Sequence, residues 1–193
     1  MQVITYPHPI LRYQCKPVQK IDQELRDIID QMFEEMYKGD GVGLAANQVH
    51  LPYRLFVLNT SGDQTKTENE YVFINPVIIK KRGSAESEEG CLSFPEIHAP
   101  VIRPTDIVIQ GVGADGQVQE FHWNGFAAKA VQHETDHLNG ITFIDRLSSL
   151  HLLNIRESLL ELELEFDTNR RLKLLPSDEE IAAQIKEMER KYC

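Results

Sequence analysis

The chain has 193 residues, of which 41% are hydrophobic and 26% are charged, and its formal net charge is −10. The length suits one domain with a full core, and both proportions are ordinary for a soluble globular protein. Because so acidic a chain disfavours contact with a phosphate backbone, we expect no direct nucleic-acid binding. No apolar run approaches the roughly 18 residues of a membrane-spanning helix, so we also expect no membrane association.

The three cysteines are few and odd in number, which is not typical of a disulfide framework. Such a count suits a reducing compartment, where a single cysteine is a metal ligand, a nucleophile or simply a buried residue. The N-terminal stretch MQVITYPHPILRYQCK shows no basic-then-apolar signal pattern, and it is not the arginine-rich, acid-poor leader of an organelle import sequence. The sequence therefore predicts a cytoplasmic location.

Prolines at positions 7, 9 and 17 break the first 20 residues, and the first regular element follows them. Asp22 is a suitable N-cap for a helix, and Gly39 after Lys38 is a suitable end. The apolar side chains between them recur at intervals of three and four, which indicates one buried face. They are Leu25, Ile28, Ile29, Met32, Phe33 and Met36. We expect this helix to pack in the core without a direct chemical role.

Residues 41–48, GVGLAANQ, are dominated by small side chains, and two glycines allow the backbone to approach another group closely. The segment lacks the third glycine of a dinucleotide-binding loop and the Lys-Ser/Thr ending of a phosphate-binding loop. A tight turn packed on the core is predicted here, and Gln48 could supply an amide donor from it.

Five short segments rich in β-branched and aromatic residues are predicted to be strands. They are residues 54–59, 71–74, 77–80, 106–111 and 118–123. The last two should form a hairpin around Asp115-Gly116, which is a strong turn pair. Residues 88–95 are predicted to be a loop, because Pro95 stops regular structure. Cys91 in this loop is either a small buried residue or a metal ligand.

The segment His133-Glu134-Thr135-Asp136-His137 has the form HExxH. On a helix, residues four apart lie on one face about one turn along the axis, so both histidines could hold one metal ion with Glu134 beside it. The flanks favour a helix, with Asn124 as N-cap and Asn139-Gly140 as the C-terminal stop. On this pattern alone, a core helix with two incidental histidines remains the alternative.

The C-terminal part is predicted to be helical. Residues 151–166 carry many leucines with acids between them, although the alternation ELELEF at 161–166 would also suit a strand. Ser177-Asp178-Glu179-Glu180 has the form of a capping box and predicts a last helix to about Lys191. We expect that helix to pack outside the core or to project from it.

Three segments match, in order, the signature motifs of the peptide deformylases. They are GVGLAANQ at 41–48, EGCLS at 89–93 and QHETDH at 132–137. Each motif alone is moderately specific, whereas the three together are highly specific. The chain therefore resembles this family from its N-terminus to about Leu147.

The resemblance implies an α+β fold, with antiparallel sheets around a central helix that carries HExxH, and a C-terminal helix. It also implies a single metal-dependent hydrolase domain over residues 1–193. Within that domain we expect a catalytic core of about 1–147 and a variable C-terminal segment of about 148–193.

The resemblance implies Cys91, His133 and His137 as ligands of one divalent metal. Three protein ligands leave a fourth position open for water, as an active metal requires. A purely structural site would need a fourth protein ligand, for which Cys15 or Cys193 would be the candidates. Family members resembling this one use Fe(II) and accept Zn, Ni or Co, so Fe(II) is the expected native metal.

The reaction that the resemblance implies is hydrolysis of the N-formyl group from the N-formylmethionine of newly synthesised polypeptides, which releases formate. Glu134 would act as the general base and then protonate the leaving nitrogen. By analogy with the family, the Gln48 amide and the Leu92 backbone N–H would stabilise the negative charge on the formyl oxygen.

The substrate would be an extended N-terminal peptide, with nascent chains at the ribosome as its source. Gly43 and Gly90 could pair their backbone groups with it. The resemblance places Val42, Phe126 and Ala130 near the methionine side chain, together with Leu92 and His133. Ser87, His98 and Lys129 depart from residues common in relatives, which affects the pocket rim rather than the metal site.

Two alternatives stay open on the sequence. A zinc endopeptidase would take a later third ligand, such as His151 or Glu157, but would leave GVGLAANQ and EGCLS without a role. A metal-stabilised binding module would have no use for the Glu134 carboxylate. No sustained heptad pattern indicates a coiled coil, and a monomer is expected.

Overall fold

The computed structural model describes residues 1–193. One α-helix, then seven strands, then four α-helices follow one another along the chain in an α+β arrangement. The helices are α1 (Gln23–Lys38), α2 (Gly125–Leu138), α3 (Ser149–Asn154), α4 (Arg156–Arg171) and α5 (Asp178–Tyr192). The strands are β1 (Gly43–Ala45), β2 (Leu55–Asn59), β3 (Glu70–Arg82), β4 (Ala85–Cys91), β5 (Phe94–Arg103), β6 (Asp106–Val112) and β7 (Val118–Asn124). No helix is long and apolar enough to cross a lipid bilayer.

A five-stranded antiparallel sheet, in the order β1-β2-β3-β6-β7, separates α1 from α2. Successive side chains of a strand point to opposite faces. Leu55 and Val57 of β2 accordingly pack in the core cluster that contains α1, whereas Phe56 and Leu58 pack in the cluster that contains α2. Because both faces are covered, every residue of β2 is buried.

Helix α1 forms as its apolar spacing predicts. The Asp22 side chain accepts a hydrogen bond from the Leu25 backbone N–H at 3.0 Å, and Gly39 occupies the C-cap. Helix α2 is the central helix, and its residues from Ala130 to Leu138 are all buried. Asn124 occupies the N-cap position of α2 as predicted, but its side chain makes no capping hydrogen bond. The predicted fold class is confirmed.

The turn predicted at 41–48 is wrong in part. Gly43–Ala45 is the edge strand β1, and Ala46–Val49 is a short 3-10 helix. Three residues are too few to show strand periodicity, and here all three are buried. The strands predicted at 71–74 and 77–80 are one strand, β3, with an irregularity between Ile74 and Val77 in its pairing with β6.

The loop predicted at 88–95 is also wrong, because β4 and β5 form a second antiparallel sheet of two strands. Pro95 does not end regular structure but lies within β5. Both strands are edge strands, where a proline without an N–H donor is tolerated. Three glutamates among the seven residues after Ser84 hide the strand pattern of β4. By contrast, the predicted hairpin between β6 and β7 is found, and Gly116 in its turn has a φ of +83°.

The predicted helix at 151–166 is divided at Ile155 into α3 and α4, and the ambiguous ELELEF segment is helical. The capping box that begins α5 is present: the Ser177 side chain accepts from the Glu180 N–H, and Glu180 accepts from the Ser177 N–H. Helix α5 does not project, because Ile181, Ile185 and Tyr192 are buried against the N-terminal part of the chain.

His8 makes the contact between the N-terminal segment and the C-terminal helices sensitive to acid. Its buried ring lies edge-on to Phe166 and His50, with centroid separations of 6.0 and 5.3 Å. Burial, assisted by His50 and Arg170, lowers the pKa of His8 from 6.5 to about 4, although Asp178 acts in the opposite direction. The imidazole of His8 is therefore protonated at a higher pH in the unfolded chain than in the folded protein. The stability that the neutral, buried ring contributes is lost as the pH falls from about 6.5 to about 4.

We expect that loss to reach about 3 kcal/mol, because one pKa unit corresponds to about 1.4 kcal/mol. His8→Asn should remove this part of the pH dependence. An asparagine oxygen can still accept from the Ile10 backbone N–H, as His8 Nδ1 does at 3.3 Å. Urea denaturation of both proteins at pH 7 and pH 4.5 measures the difference, and an equal pH dependence in the two would contradict the prediction.

Candidate metal centre

Two elements bring a sulfur and two imidazole nitrogens together. His133 and His137 lie one turn apart on the buried central helix α2, and Cys91 ends β4 immediately before the two-residue turn to β5. His137 Nε2 lies 3.2 Å from Cys91 Sγ and 3.2 Å from His133 Nε2. The three donor atoms lie within 4.8 Å of one another.

This donor set fits a divalent metal. In a tetrahedral site with metal–nitrogen and metal–sulfur bonds of about 2.0–2.3 Å, the ligand atoms lie about 3.3–3.6 Å apart. The observed separations are close to these values. No fourth histidine, cysteine or carboxylate joins the cluster. Cys15 is buried in the core cluster around α2, and Cys193 Sγ lies near the Lys16 carbonyl oxygen, so neither completes a four-ligand structural site.

Glu89, which precedes the candidate ligand Cys91 by two residues, fixes the orientation of His133. Its Oε2 accepts a hydrogen bond from His133 Nδ1 at 3.0 Å. A proton held on Nδ1 leaves the Nε2 lone pair directed at the metal position. Burial by itself lowers the pKa of His133, but the hydrogen bonds with Cys91 and Glu89 raise it, so that a proton competes with a metal for Nε2.

A buried arginine in turn holds Glu89. Arg103 of β5 donates to both Glu89 oxygens, at 2.5 and 2.8 Å, and to Asp136 Oδ2 at 2.7 Å. Its side chain is only 3% exposed. Burial by itself raises the pKa of Glu89, but the hydrogen bonds from His133 and Arg103 lower it to about 2. Asp136 also accepts from Arg146, so one ionic network joins β4, β5 and α2.

Glu134 lies beside the donor cluster, and its Oε2 is buried without a protein hydrogen-bond partner. Burial raises the pKa of Glu134 to about 7, although His133 and Arg103 act in the opposite direction. Gly43 of β1 permits this position, because a Cβ on Gly43 would lie 2.5 Å from Glu134 Oε1. The GVGLAANQ segment at 41–48 and the HExxH segment at 133–137 are therefore in direct contact.

Gln48 is buried and reaches the same place from the 3-10 helix after β1. Its Nε2 donates to Cys91 Sγ at 3.3 Å and to Ser93 Oγ at 3.1 Å, while its Oε1 accepts from the Ala45 N–H at 2.9 Å. The three bonds fix which way the amide faces. Leu92 occupies the first central position of the two-residue β4–β5 turn, where the N–H is not used by the ladder.

A cavity of about 610 Å³ opens onto this cluster. All five residues predicted to bind substrate line it, and so do the three predicted catalytic residues. These are Val42, Gly43, Gly90, Phe126 and Ala130, with Glu134, Gln48 and Leu92. Phe126 is 59% exposed, so its side chain lies at the surface rather than in the core. Ser87, His98 and Lys129, which depart from the family pattern, also line the cavity.

The comparisons with known proteins agree with this geometry. Residues 1–152 match the family model described as polypeptide deformylase. The chain belongs to the polypeptide deformylase family. The peptide deformylase of Rhodopirellula baltica is 36% identical over 192 residues, which cover 100% of this chain and 95% of that protein. The peptide deformylase of Hydrogenovibrio crunogenus is 47% identical over 150 residues, which cover 78% of this chain and 87% of that protein.

A solved structure shares the fold of this deformylase family member. Arabidopsis thaliana peptide deformylase 1B, in complex with an inhibitor, aligns with a TM-score of 0.85 at 38% identity. The alignment covers 92% of this chain and 97% of that chain. The likeness therefore extends beyond the residues that carry the three motifs.

Peptide deformylases are metal-dependent hydrolases that remove the formyl group from formylated nascent peptides. The family, the enzyme class and the reaction predicted from the three motifs are confirmed, as is the requirement for one metal. The endopeptidase alternative is wrong, because the third donor beside His133 and His137 is Cys91, whereas His151 and Glu157 lie outside the cluster. Family membership likewise overturns the binding-module alternative.

Sequence reasoning missed Arg103 and Ser93, and it gave Glu89 no role of its own. Glu89 lies inside the EGCLS motif, so its place two residues before the predicted ligand Cys91 was a usable signal. Arg103 had none, because it lies 14 residues from Glu89 and 33 from Asp136. Its role depends on the β4–β5 pairing that the sequence did not predict.

Proposed function

We propose that Cys91, His133 and His137 hold the single divalent metal, and that Glu134, Gln48 and Leu92 carry out the deformylation around it. The observation that carries this proposal is the convergence of the three donor atoms at the cavity, with the buried Glu134 carboxylate beside them. When bound, the metal supplies Lewis acidity toward the formyl oxygen and lowers the pKa of water.

Glu134 moves the proton. One of its carboxylate oxygens takes a proton from the attacking water and transfers it to the leaving nitrogen, which departs as a free amine. Two features support this role: Glu134 Oε2 has no protein partner, and burial raises the pKa of Glu134 to about 7. A general base with a pKa near the working pH is half-ionised and can both accept and donate.

Gln48 and Leu92 stabilise negative charge on the formyl oxygen. The Gln48 Nε2 hydrogen bond to Cys91 Sγ is weak, because sulfur is a poor acceptor, and it can be exchanged for a bond to the oxygen. The bonds to Ser93 and Ala45 keep the amide in place during that exchange. The Leu92 N–H at the β4–β5 turn supplies the second donor.

Gln48→Ala is expected to lower kcat by about 10²- to 10³-fold, since one oxyanion donor has that effect in other hydrolases. KM should change much less, because the charge exists only in the transition state. Initial rates of formate release at several substrate concentrations measure both constants. Gln110→Ala, an exposed glutamine on β6, is the matched control. A kcat in Gln48→Ala equal to that control would remove Gln48 from the mechanism.

The peptide substrate is proposed to lie between two strand edges. β1 pairs only with β2, and β4 pairs only with β5, so each presents a free edge. Gly43 and Gly90 on these edges line the cavity, where an extended peptide could add as a strand. Val42, Phe126 and Ala130 supply apolar surface for the methionine side chain.

Fe(II) is proposed as the native metal, with Zn, Ni and Co as possible substitutes. The set of one thiolate and two imidazoles accepts all of these ions, so affinity alone does not select among them. Protein loaded anaerobically with each metal should show the highest formate release with Fe(II), and that activity should decline in air. Iron-loaded protein that keeps full activity for hours in air would contradict this assignment.

The remaining proposals concern the surroundings of the enzyme. The three cysteines are free thiols, which supports a reducing compartment and hence the cytoplasm. We propose nascent chains at the ribosome as the substrate source, and a monomer as the working form. We further propose that residues 1–193 form one hydrolase domain, because the helices after residue 152 pack against the part that matches the family model.

A further inference from the structure

The C-terminal helices α4 and α5 lie beyond the residues that match the family model. They cover the N-terminal segment, which we define as residues 3–13. Tyr6 OH donates to Glu163 Oε1 of α4 at 2.6 Å, and Ile10 packs with Ile181 and Ile185 of α5. Tyr13 OH also donates to Glu189 Oε1 of α5. The N-terminal segment is therefore attached at several points along its length.

The opposite side of the N-terminal segment is bonded to the residues around the metal position. The Ile4 N–H donates to the Gln48 carbonyl oxygen at 2.7 Å, and the Tyr6 N–H donates to the Ser93 carbonyl oxygen at 2.9 Å. The side chains of Gln48 and Ser93 are hydrogen-bonded to each other, and Gln48 Nε2 also donates to Cys91 Sγ. Two backbone bonds thus connect this segment to the amide donor and to the turn that carries Leu92.

A second path runs through aromatic rings. Tyr6 stacks on Phe94, with 5.0 Å between centroids, and Phe94 meets Phe143 edge-on at 5.2 Å. Phe143 stacks on the ring of His133 at 6.3 Å. Phe94 also lines the substrate cavity. The hydroxyl of Tyr6 is held by α4, while its ring is the first of four rings that end at a donor of the metal cluster.

We propose that the C-terminal helices clamp the N-terminal segment against Gln48 and Ser93, and that Tyr6 and Glu163 are positioning residues for the metal centre. The inference rests on the role proposed above for Gln48. If the hydrogen bond between Tyr6 and Glu163 is lost, the segment loses its hydrogen-bonded attachment to α4, and the Ile4 and Tyr6 backbone bonds to the site open more often. The amide of Gln48 and the turn after Cys91 are then held less firmly.

Four variants separate this role from a general effect on stability. Glu163→Ala removes the acceptor, whereas Glu163→Gln keeps an oxygen that can accept from Tyr6 OH. Tyr6→Phe removes the hydroxyl but keeps the ring against Phe94. Glu165→Ala is the matched control, because Glu165 is an exposed acid on the same helix without a hydrogen bond or ion pair.

Three measurements on the full-length, metal-loaded protein test the proposal. Amide hydrogen exchange reports the opening of the Ile4 and Tyr6 backbone bonds. The thiolate-to-metal absorption of the Co(II) form reports the geometry at Cys91 independently of turnover. Formate release from a formylmethionyl peptide gives kcat and KM.

For Glu163→Ala and Tyr6→Phe we expect about tenfold faster exchange at the two amides, which corresponds to about 1.4 kcal/mol. The Co(II) band should shift, and kcat should fall by about tenfold with KM nearly unchanged. Glu163→Gln should stay close to wild type in exchange, Co(II) spectrum and kcat, and Glu165→Ala should match wild type.

The clamp is overturned if the two variants match Glu165→Ala in exchange, or if exchange rises while kcat and the Co(II) spectrum stay unchanged. Because Tyr6→Phe changes a single atom, it decides the question should Glu163→Ala fail to fold. The two proposals also fail in different ways. If Gln48→Ala keeps its activity, the oxyanion role fails, whereas a large loss in Gln48→Ala beside unaffected clamp variants removes only the clamp.

Discussion

Glu134→Ala is expected to lower the rate of formate release by about 10²- to 10⁴-fold, which is the usual contribution of a positioned general base. The protein should still bind one metal ion, because the proposed ligands Cys91, His133 and His137 are unchanged. Removing a buried carboxylate that has an unpartnered oxygen should not destabilise the fold. Formate release and metal content, measured on the same samples, test both parts.

The control for this prediction is Glu161→Ala, which removes an exposed acid of α4 that does not line the cavity. It should keep the wild-type rate. A metal-loaded Glu134→Ala protein that releases formate as fast as this control would mean that another group moves the proton. Loss of the metal in Glu134→Ala would instead show that the carboxylate is a ligand.

Arg103→Leu is expected to lower the free energy of unfolding by about 3–5 kcal/mol, the usual cost of removing one partner of a buried ionic network. The variant leaves the Glu89 and Asp136 carboxylates, each with a side chain 9% exposed, without their shared cation. Without the arginine, the burial of the two carboxylates disfavours their ionised forms, and the folded state is destabilised. Urea denaturation, with each variant measured at the same metal concentration, gives the difference.

Arg146→Leu is the matched control, because Arg146 also binds Asp136 but its side chain is 37% exposed. Exposed ion pairs contribute about 1 kcal/mol or less, so this variant should be only slightly destabilised. Arg103→Lys should lie between the two, since it keeps the charge but cannot bond to both Glu89 oxygens in parallel. Equal losses in Arg103→Leu and Arg146→Leu would contradict the account of a buried network.

The parts of the fold that the sequence predicted are those with a clear local period. Helix α1 has apolar residues at intervals of three and four, a capping aspartate and a terminal glycine, and it is found at Gln23–Lys38. The β6–β7 hairpin has a strong turn pair between two strand patterns. In both cases the sequence signal is local, so it could be recognised without knowledge of the rest of the chain, although α1 packs against β2 in the core.

The second sheet shows where local patterns fail. In β4, AESEEGC, the acids alternate only partly with smaller residues, and β5 contains two prolines. The two strands are stabilised by their pairing with each other, and β5 also packs against Phe143, Ile155 and Leu159. A local pattern records neither contact. The helical ELELEF segment is the opposite case, because its alternation suits a strand while its contacts with the N-terminal segment favour a helix.

The candidate site also has a part that the local sequence predicted and a part that it did not. The spacing of His133 and His137 indicates a metal pair, because four residues make about one turn of a helix. Cys91 joins them from the two-stranded sheet, 46 residues from His137. The local sequence left its role open between a buried residue and a metal ligand, and the resemblance to a family favoured the ligand. The Arg103 network could not be predicted, since pairing among buried charges far apart in sequence leaves no periodic trace.

The most direct test is formate release by wild-type protein, loaded anaerobically with Fe(II), from a short N-formylmethionyl peptide. The same peptide with an N-acetyl group is the substrate control, and mass spectrometry of the products detects internal cleavage. We predict one formate and one free amine for each substrate consumed, with the peptide backbone intact and the acetylated peptide hydrolysed far more slowly. Metal-loaded protein that releases no formate, or that cuts the backbone instead, would contradict the account.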